Sequence, residues 1–332
     1  MLSNYQTIQF KSKLAPIINQ FIKEKQACGC KYKEGIRIAK HFDSFLCNTD
    51  IKQNELPKTI VSQWLVKQPD EPPAIYQVRV RLVRQLGEFM VELNYPAYIV
   101  PRCFGAPLSP VFTPYIFTRK EINKLIHAVD NIKPNSLSPT RHIIMPEIFR
   151  LLYGCGFRIN EVLNLRVCDV DLKQGVITVR DGKFGKDRLV PPSVDLIKRL
   201  QIYEEQIEKN TLEKRTDESF FFPSPKQTAW NYRTIYDMFR KLLHQCGICH
   251  GGRGKGPRLH DLRHTFAVHK LLKWYEEGCN LNAKLPLLVT YLGHKDFTGT
   301  QKYLHLTAEL FPNLTARMNK QFGIVIPKRT QS

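Results

Sequence analysis

The sequence predicts a mainly α-helical protein of two domains, with one small antiparallel β-sheet in the second. Three observations carry this expectation. Apolar residues recur at helical spacing through most of the 332 residues. A proline-rich break interrupts them after about residue 100. One short β-branched patch, around residues 176–190, brackets a glycine-lysine turn.

Taken in order, Leu14, Ile17, Ile18, Phe21 and Ile22 share one helical face, and Ile36, Ile38, Phe42, Phe45 and Leu46 make a second, less regular one. Further amphipathic stretches run from Ile60 to Val66 and from Tyr76 to Leu93, punctuated by Pro57, Pro69, Pro72 and Pro73. The last stretch carries Arg79, Arg81 and Arg84 beside Val78, Leu82 and Leu86. Such a basic face suits DNA phosphates, and equally suits a merely solvated surface. Pro101, Pro107, Pro110 and Pro114, with Gly105 and Ser109, keep the next segment extended. We therefore assign residues 1–105 to a helical first domain, 106–116 to a linker and 117–332 to a second domain.

The second domain opens on Thr118-Arg119-Lys120-Glu121, a capping-box pattern starting a helix through Ala128. Helices are expected at about 146–155 and 159–166. Val176, Ile177 and Val179 then lead into the turn, and Leu189-Val190 follow it, as in a hairpin. The remainder reads as helical, interrupted by the loop Gly251-Gly252-Arg253-Gly254-Lys255-Gly256.

Composition narrows the partners. Fifty Lys and Arg against 30 Asp and Glu give a formal charge of +20. Roughly +6 of that lies before residue 106 and roughly +14 after it, so the excess is not one basic tail. A polyanion fits such a surface, because each basic group placed on a phosphate releases condensed counterions. No segment approaches the ~20 apolar residues of a membrane span, and the first residues lack the charged and apolar regions of a signal peptide. A cytoplasmic, nucleoid-associated protein without membrane contact is expected. Nine scattered cysteines suit reduced thiols. Cys246-Gly247-Ile248-Cys249-His250 matches a haem-attachment pattern, but that chemistry requires export, and zinc would need a second ligand pair. Small thiols near a helix end are the simpler reading.

Four spots combine reactive side chains with apolar frames. In Gly156-Phe157-Arg158-Ile159-Asn160-Glu161, the glycine can end one helix while Arg158 opens the next. Glu161, three residues on, can orient the guanidinium, although a surface ion pair has the same spacing. Gly182-Lys183-Phe184-Gly185-Lys186-Asp187-Arg188 places lysines on a hairpin tip, where a proton donor or an ordinary exposed lysine could stand. No P-loop pattern occurs here or in the glycine-rich loop. In His260-Asp261-Leu262-Arg263-His264, His260 and Arg263 share a helix face, an imidazole to move a proton and a guanidinium to hold phosphate oxygens. The H-E-x-x-H zinc pattern is absent. Last, Leu292-Gly293-His294 precedes Tyr303, a tyrosine that alone would read as helix packing.

In this order the four spots resemble the catalytic box of the tyrosine recombinases, the phage integrases and Xer-type enzymes. The second domain covers that family's catalytic domain, and the first is similar to its core-binding domain. The resemblance implies a two-domain, C-shaped DNA clamp. By motif, Arg158 resembles the first catalytic arginine, with Glu161 steadying it. Lys183 resembles the hairpin lysine, with Lys186 close enough to be an alternative. His260 and Arg263 match His-x-x-Arg, His294 the Leu-Gly-His position and Tyr303 the nucleophile. The chain departs from compact Xer-like members in a longer stretch from Lys273 to Leu285, which resembles inserts of transposon-borne integrases.

The chemistry is coherent. Two guanidiniums and His294 can grip the non-bridging oxygens of a phosphodiester. Tyr303, with a free pKa near ~10, needs help from a base, for which His260 is the best placed by motif. Lys183 would protonate the leaving 5′-hydroxyl. With these donors on the phosphate and no acidic cluster to hold Mg²⁺, no metal is expected; the resemblance implies a 3′-phosphotyrosyl intermediate that conserves the phosphoester bond, so no ATP is expected. Double-stranded DNA is the expected partner, with Arg79, Arg81, Arg84, Lys186, Arg253 and Lys255 as contacts. The family also implies four subunits on two DNA sites, with accessory proteins, docked through a tail bearing Leu310, Phe311, Leu314 and Met318. Competing readings are relaxation of DNA by a type IB topoisomerase-like enzyme and a non-catalytic DNA-binding accessory protein.

Overall fold

A computed structural model describes residues 9–29, 32–104, 113–180, 187–211, 214–252, 256–294 and 303. It is mostly helical with one small antiparallel sheet, and divides into a unit of residues 1–112 and a unit of residues 113–332.

The first unit contains α1 (Ala15–Ala27), α2 (Lys33–Cys47), α3 (Lys58–Trp64) and α4 (Pro73–Glu92). The apolar faces read from the sequence close on one another. Ile17, Ile18, Phe21 and Ile22 of α1 are buried with Phe42 and Leu46 of α2 and Val83, Leu86 and Met90 of α4. Proline at the first turn of α4 loses no hydrogen bond, because that N–H has no partner inside the helix. Buried Asp43 takes the backbone N–H groups of Lys11 and Ser12 at 2.8 and 3.0 Å, which fixes the entry to α1.

The basic face expected on α4 is not a single face. Arg79 is only 9% exposed. Its guanidinium lies 4.5 Å from the centre of the Trp64 ring, pairs with Glu71 at 2.7 Å and donates to the Trp64 carbonyl. Arg84 donates to the carbonyls of Val100, Pro101 and Phe104, tying down the chain that leaves the unit. Arg81 alone of the three is exposed. The apolar stripe of α4 is wide enough to turn Arg79 inward, where an aromatic ring and a carboxylate compensate its burial.

The second unit contains α5 (Arg119–Asp130), α6 (Arg141–Gly154), α7 (Ile159–Leu163), β1 (Val170–Asp171), β2 (Val176–Val179), β3 (Arg188–Val190), α8 (Val194–Asn210), α9 (Tyr232–Gln245), α10 (Leu259–Glu276) and α11 (Leu281–Leu292). The capping box at α5 is formed in both directions, Glu121 N–H to Thr118 Oγ1 and Thr118 N–H to Glu121 Oε2. Helix α6 begins about a turn before the expected start. Pro146 lies inside it, and the buried Ile144, Met145, Ile148, Phe149, Leu151 and Leu152 offset the one bond proline removes. Helix α7 stops earlier than expected, because Leu165 gives its carbonyl to Phe221 and Arg166 pairs with Phe220.

The sheet runs β1-β2-β3, with Ile177 opposite both Val170 and Val190, and Val179 opposite Arg188. The stretch from Lys273 to Leu285 forms the last turn of α10, a short turn and the first turn of α11, capped by Asn280. Cys246 ends α9 beside Gly247, and the described cysteines are free thiols. Among the described residues no helix is long and apolar enough to cross a membrane.

Candidate active site

Helix α10 is the platform. His260, Arg263 and His264 stand at i, i+3 and i+4, so they share one face. The helix is locked by buried Asp261, which accepts from the Arg258 N–H at 2.9 Å and caps the first turn. Thr265 accepts from the Phe117 N–H at 3.1 Å and donates to the Asp261 carbonyl, joining α10 to the start of the unit.

Arg263 is 1% exposed. Its terminal nitrogens donate to the carbonyls of Gly156 at 2.6 Å and Leu292 at 2.5 Å, while its buried Nε has no acceptor among the described residues. Burial, with the Arg158 charge adding to it, lowers its pKa to about 9, still protonated at neutral pH. Gly156 allows this arrangement. Its φ is +63°, and a Cβ there would meet the Phe266 ring at 2.6 Å and Leu292 at 2.9 Å.

Arg158 caps α7 and reaches Glu161 at 2.6 Å and the Gly293 carbonyl at 3.1 Å. Glu161 holds a second guanidinium. Arg188, at the root of the β2–β3 hairpin, forms a fork with both of its oxygens at 2.9 and 2.8 Å and donates through Nε to the Tyr291 carbonyl at 3.0 Å. Burial pushes the Glu161 pKa up, but the bonds and charges of Arg188 and Arg158 outweigh it and leave a value of about 2. Arg188 therefore ties the hairpin root to the carboxylate that orients Arg158. Lys183 and Lys186 lie outside the described residues, in the stretch of sequence between Arg180 and Asp187.

Tyr303 is 2% exposed and packs with Ala267, Val268 and Leu271 of α10 and Leu288 and Leu292 of α11. Its hydroxyl lies 2.8 Å from His264 Nδ1. The His294 ring stacks on the Tyr303 ring at 6.2 Å, and the His264 ring meets His260 edge-to-face at 4.7 Å. Burial raises the Tyr303 pKa, and the Arg263 and Arg158 charges pull against it. All three histidines are neutral at pH 7. Desolvation comes first in each case: Arg263 and Arg158 then press on His260 and His294, and His260 and Arg258 on His264, whose pKa falls to about 3.

Arg158, Glu161, His260, Arg263, His294 and Tyr303 are thus brought together from α7, α10, the end of α11 and the segment beyond it. Arg253, Lys255 and the tail residues Leu310, Phe311, Leu314 and Met318 lie outside the described residues. Two site residues were not anticipated, Arg188 and His264. The signal for His264 was its position four residues after His260; nothing local pointed to Arg188. As chemistry, the arrangement sets a tyrosine hydroxyl beside two guanidiniums and three neutral imidazoles, a setting for an anionic phosphoryl group.

The sequence model of the phage integrase family matches residues 116–309. Over 310 residues the chain is 27% identical to an integrase/recombinase of Sinorhizobium fredii, covering 92% of this chain and 96% of that protein. It is 30% identical over 217 residues to the tyrosine recombinase XerA of Pyrococcus furiosus, covering 64% of this chain and 65% of that one. Two solved structures share the fold. XerH recombinase bound to a palindromic difH substrate in a post-cleavage complex has a TM-score of 0.61 at 19% identity, covering 92% of this chain and 88% of XerH. The Tn1549 transposon integrase with transposon right-end DNA has a TM-score of 0.60 at 16% identity, covering 92% and 98%.

Proposed function

The chain belongs to the phage integrase family and is a tyrosine site-specific recombinase, and on that premise we propose that Tyr303 cuts one strand of a bound DNA duplex. The observation that carries the residue assignment is the Tyr303 hydroxyl, buried beside Arg263 and Arg158 with an imidazole at hydrogen-bond distance. In this reading the scissile phosphate sits over the two guanidiniums, and His294 donates to it. Preorganised donors of this kind supply a few kcal/mol each, roughly 2.7–4 by analogy with oxyanion holes.

The step balances without a cofactor. Tyr303 Oη gives its proton to His260 and bonds to phosphorus, the bond to the 5′ oxygen breaks, and the leaving oxygen takes a proton from Lys183, or from Lys186 if that lysine occupies the position. A 3′-phosphotyrosyl link remains. A second DNA 5′-hydroxyl reverses the chemistry and completes exchange.

Residues 1–105 contribute a second DNA contact through Arg81 and other exposed bases of that unit, with 106–116 as the linker to the catalytic unit at 117–332. Four copies assemble on two DNA sites through the segment after Tyr303, with accessory proteins directing the outcome, in the cytoplasm at the nucleoid. The role is integration, excision or transposition of a mobile element.

Nicked suicide duplexes, drawn from a randomised pool by the wild-type protein, test this reading. A covalent adduct lost in Tyr303→Phe supports it, and a protein that shifts DNA without forming an adduct overturns it. Exchange between two labelled copies of the selected site then separates recombination from relaxation.

A further inference from the structure

We propose that His264 is a positioning residue for the nucleophile, accepting the hydrogen of the Tyr303 hydroxyl so that the oxygen's lone pairs face the phosphate. The inference rests on the reading of Tyr303 as the attacking group and adds a residue to it. A tyrosine hydroxyl has one hydrogen and two lone pairs on a rotor about its C–O bond. Attack requires a lone pair aimed at phosphorus, so the hydrogen must be held elsewhere. His264 Nδ1 lies 2.8 Å from Oη, within the ordinary range of a hydrogen bond.

The contact sits among packed side chains. His264 stands on α10, next to buried Arg263 and one turn after His260, whose ring it meets edge-to-face. Tyr303 also packs with the stacked His294 ring and with Leu288 and Leu292. One helix thus presents the phosphate grip, through Arg263, and the register of the nucleophile, through His264, in adjacent residues. Misplacing either by about 1 Å is enough to cost roughly a hundredfold in rate.

Geometry assigns the orienting contact. His264 Nδ1 stands at hydrogen-bond distance from the hydroxyl, and burial favours the neutral ring, which carries the lone pair that accepts. His264 acts as an acceptor that aims the hydroxyl, and the proton passes to His260 as the phosphorus–oxygen bond forms. This role differs from that of the proposed base, His260, which is exposed and feels the charges of Arg263 and Arg158.

The test compares His264→Ala with His264→Asn in the full-length protein, using the nicked duplexes that the wild type selects. Asparagine places an amide oxygen close to where Nδ1 stands, accepts a hydrogen bond and takes no proton. Single-turnover adduct formation is expected to slow roughly a hundredfold in His264→Ala, to recover at least tenfold in His264→Asn, and DNA affinity to stay at the wild-type value in both. An alanine variant that cuts at the wild-type rate overturns the proposal. So does an asparagine variant as slow as alanine while both bind DNA normally, because that pattern marks proton acceptance or packing instead. Mass mapping of the wild-type adduct keeps the two readings apart: an adduct on a residue other than Tyr303 removes the premise, whatever the His264 variants do.

Discussion

Glu161 binds two guanidiniums at once, Arg158 three residues before it and Arg188 27 residues after it. Both oxygens face Arg188, one faces the Arg158 side chain and the other the Arg158 backbone N–H. If Arg158 grips the phosphate as proposed, its plane must be held, and a carboxylate with a single partner can swing. The second guanidinium removes that freedom, and it comes from the start of β3. Strand β3 and the start of α7 are joined through one carboxylate.

Arg188→Ala leaves Glu161 buried with half its partners. Removing one side of a buried pair costs about 3 kcal/mol or more, because the remaining charge is uncompensated. We expect a loss of that order in urea denaturation, and adduct formation to fall much further than DNA affinity. Arg188→Lys should recover little of either, since an ammonium cannot fork onto two oxygens and also reach the Tyr291 carbonyl. Wild-type cleavage in Arg188→Ala would show that the pair is ornamental.

Acid should loosen this site, and Glu161 gives the sign. Its folded pKa of about 2 lies below the unfolded value of 4.5, so its contribution is complete above about pH 4.5 and disappears as pH falls toward 2. The neutral histidines His260, His264 and His294 act in the same direction from about pH 6.5 downward, because the unfolded chain takes up protons that the folded site refuses. Urea midpoints measured from pH 7 to pH 3 should fall in the wild type. The gap between wild type and Glu161→Gln should narrow below pH 4.5, while the histidine component is common to both. A gap that widens in acid contradicts the assignment.

Much of this was legible in the sequence, and the limits have physical causes. The faces of α1 and α4, the Thr118–Glu121 box and the motif residues are local patterns, repeating within one or two helical turns. Arg188 and His264 escaped because their partners lie 27 and 39 residues away, and tertiary packing alone brings them near. Pro146 misled for a related reason: proline ordinarily marks a helix start, and only the burial of Ile144 and Met145 keeps it inside α6. Arg79 read as a surface cation because neither the Trp64 ring nor Glu71 is its neighbour in sequence.

Gly156 is expected to tolerate no side chain. Alanine there meets a φ of +63° and a Phe266 ring 2.6 Å from the new Cβ. Strain in the left-handed region costs about 1–2 kcal/mol, and forced repacking of the ring about 1–3 more. The Gly156 carbonyl also seats Arg263 at 2.6 Å. Gly156→Ala should therefore lower stability by about 2 kcal/mol or more and slow cleavage beyond what partial unfolding explains, measured on the folded fraction at low temperature. An unchanged urea midpoint would refute it.

Arg79 and Arg81, two residues apart on α4, should part company in experiment. Arg79→Ala strips the partner from Glu71 and the cation from the Trp64 face, both within the core of the first unit. A loss of about 3 kcal/mol is expected, visible in urea denaturation. Arg81 is exposed, and Arg81→Ala should leave stability within about 0.5 kcal/mol. If Arg81 lies on a phosphate, its loss should weaken binding evenly across DNA sequences. It should also reduce the slope of log affinity against log salt by about 1. Salt titrations of both variants on the selected duplex decide the matter: a slope unchanged in Arg81→Ala takes α4 off the DNA, and a slope changed in a fully stable Arg79→Ala returns that arginine to the surface.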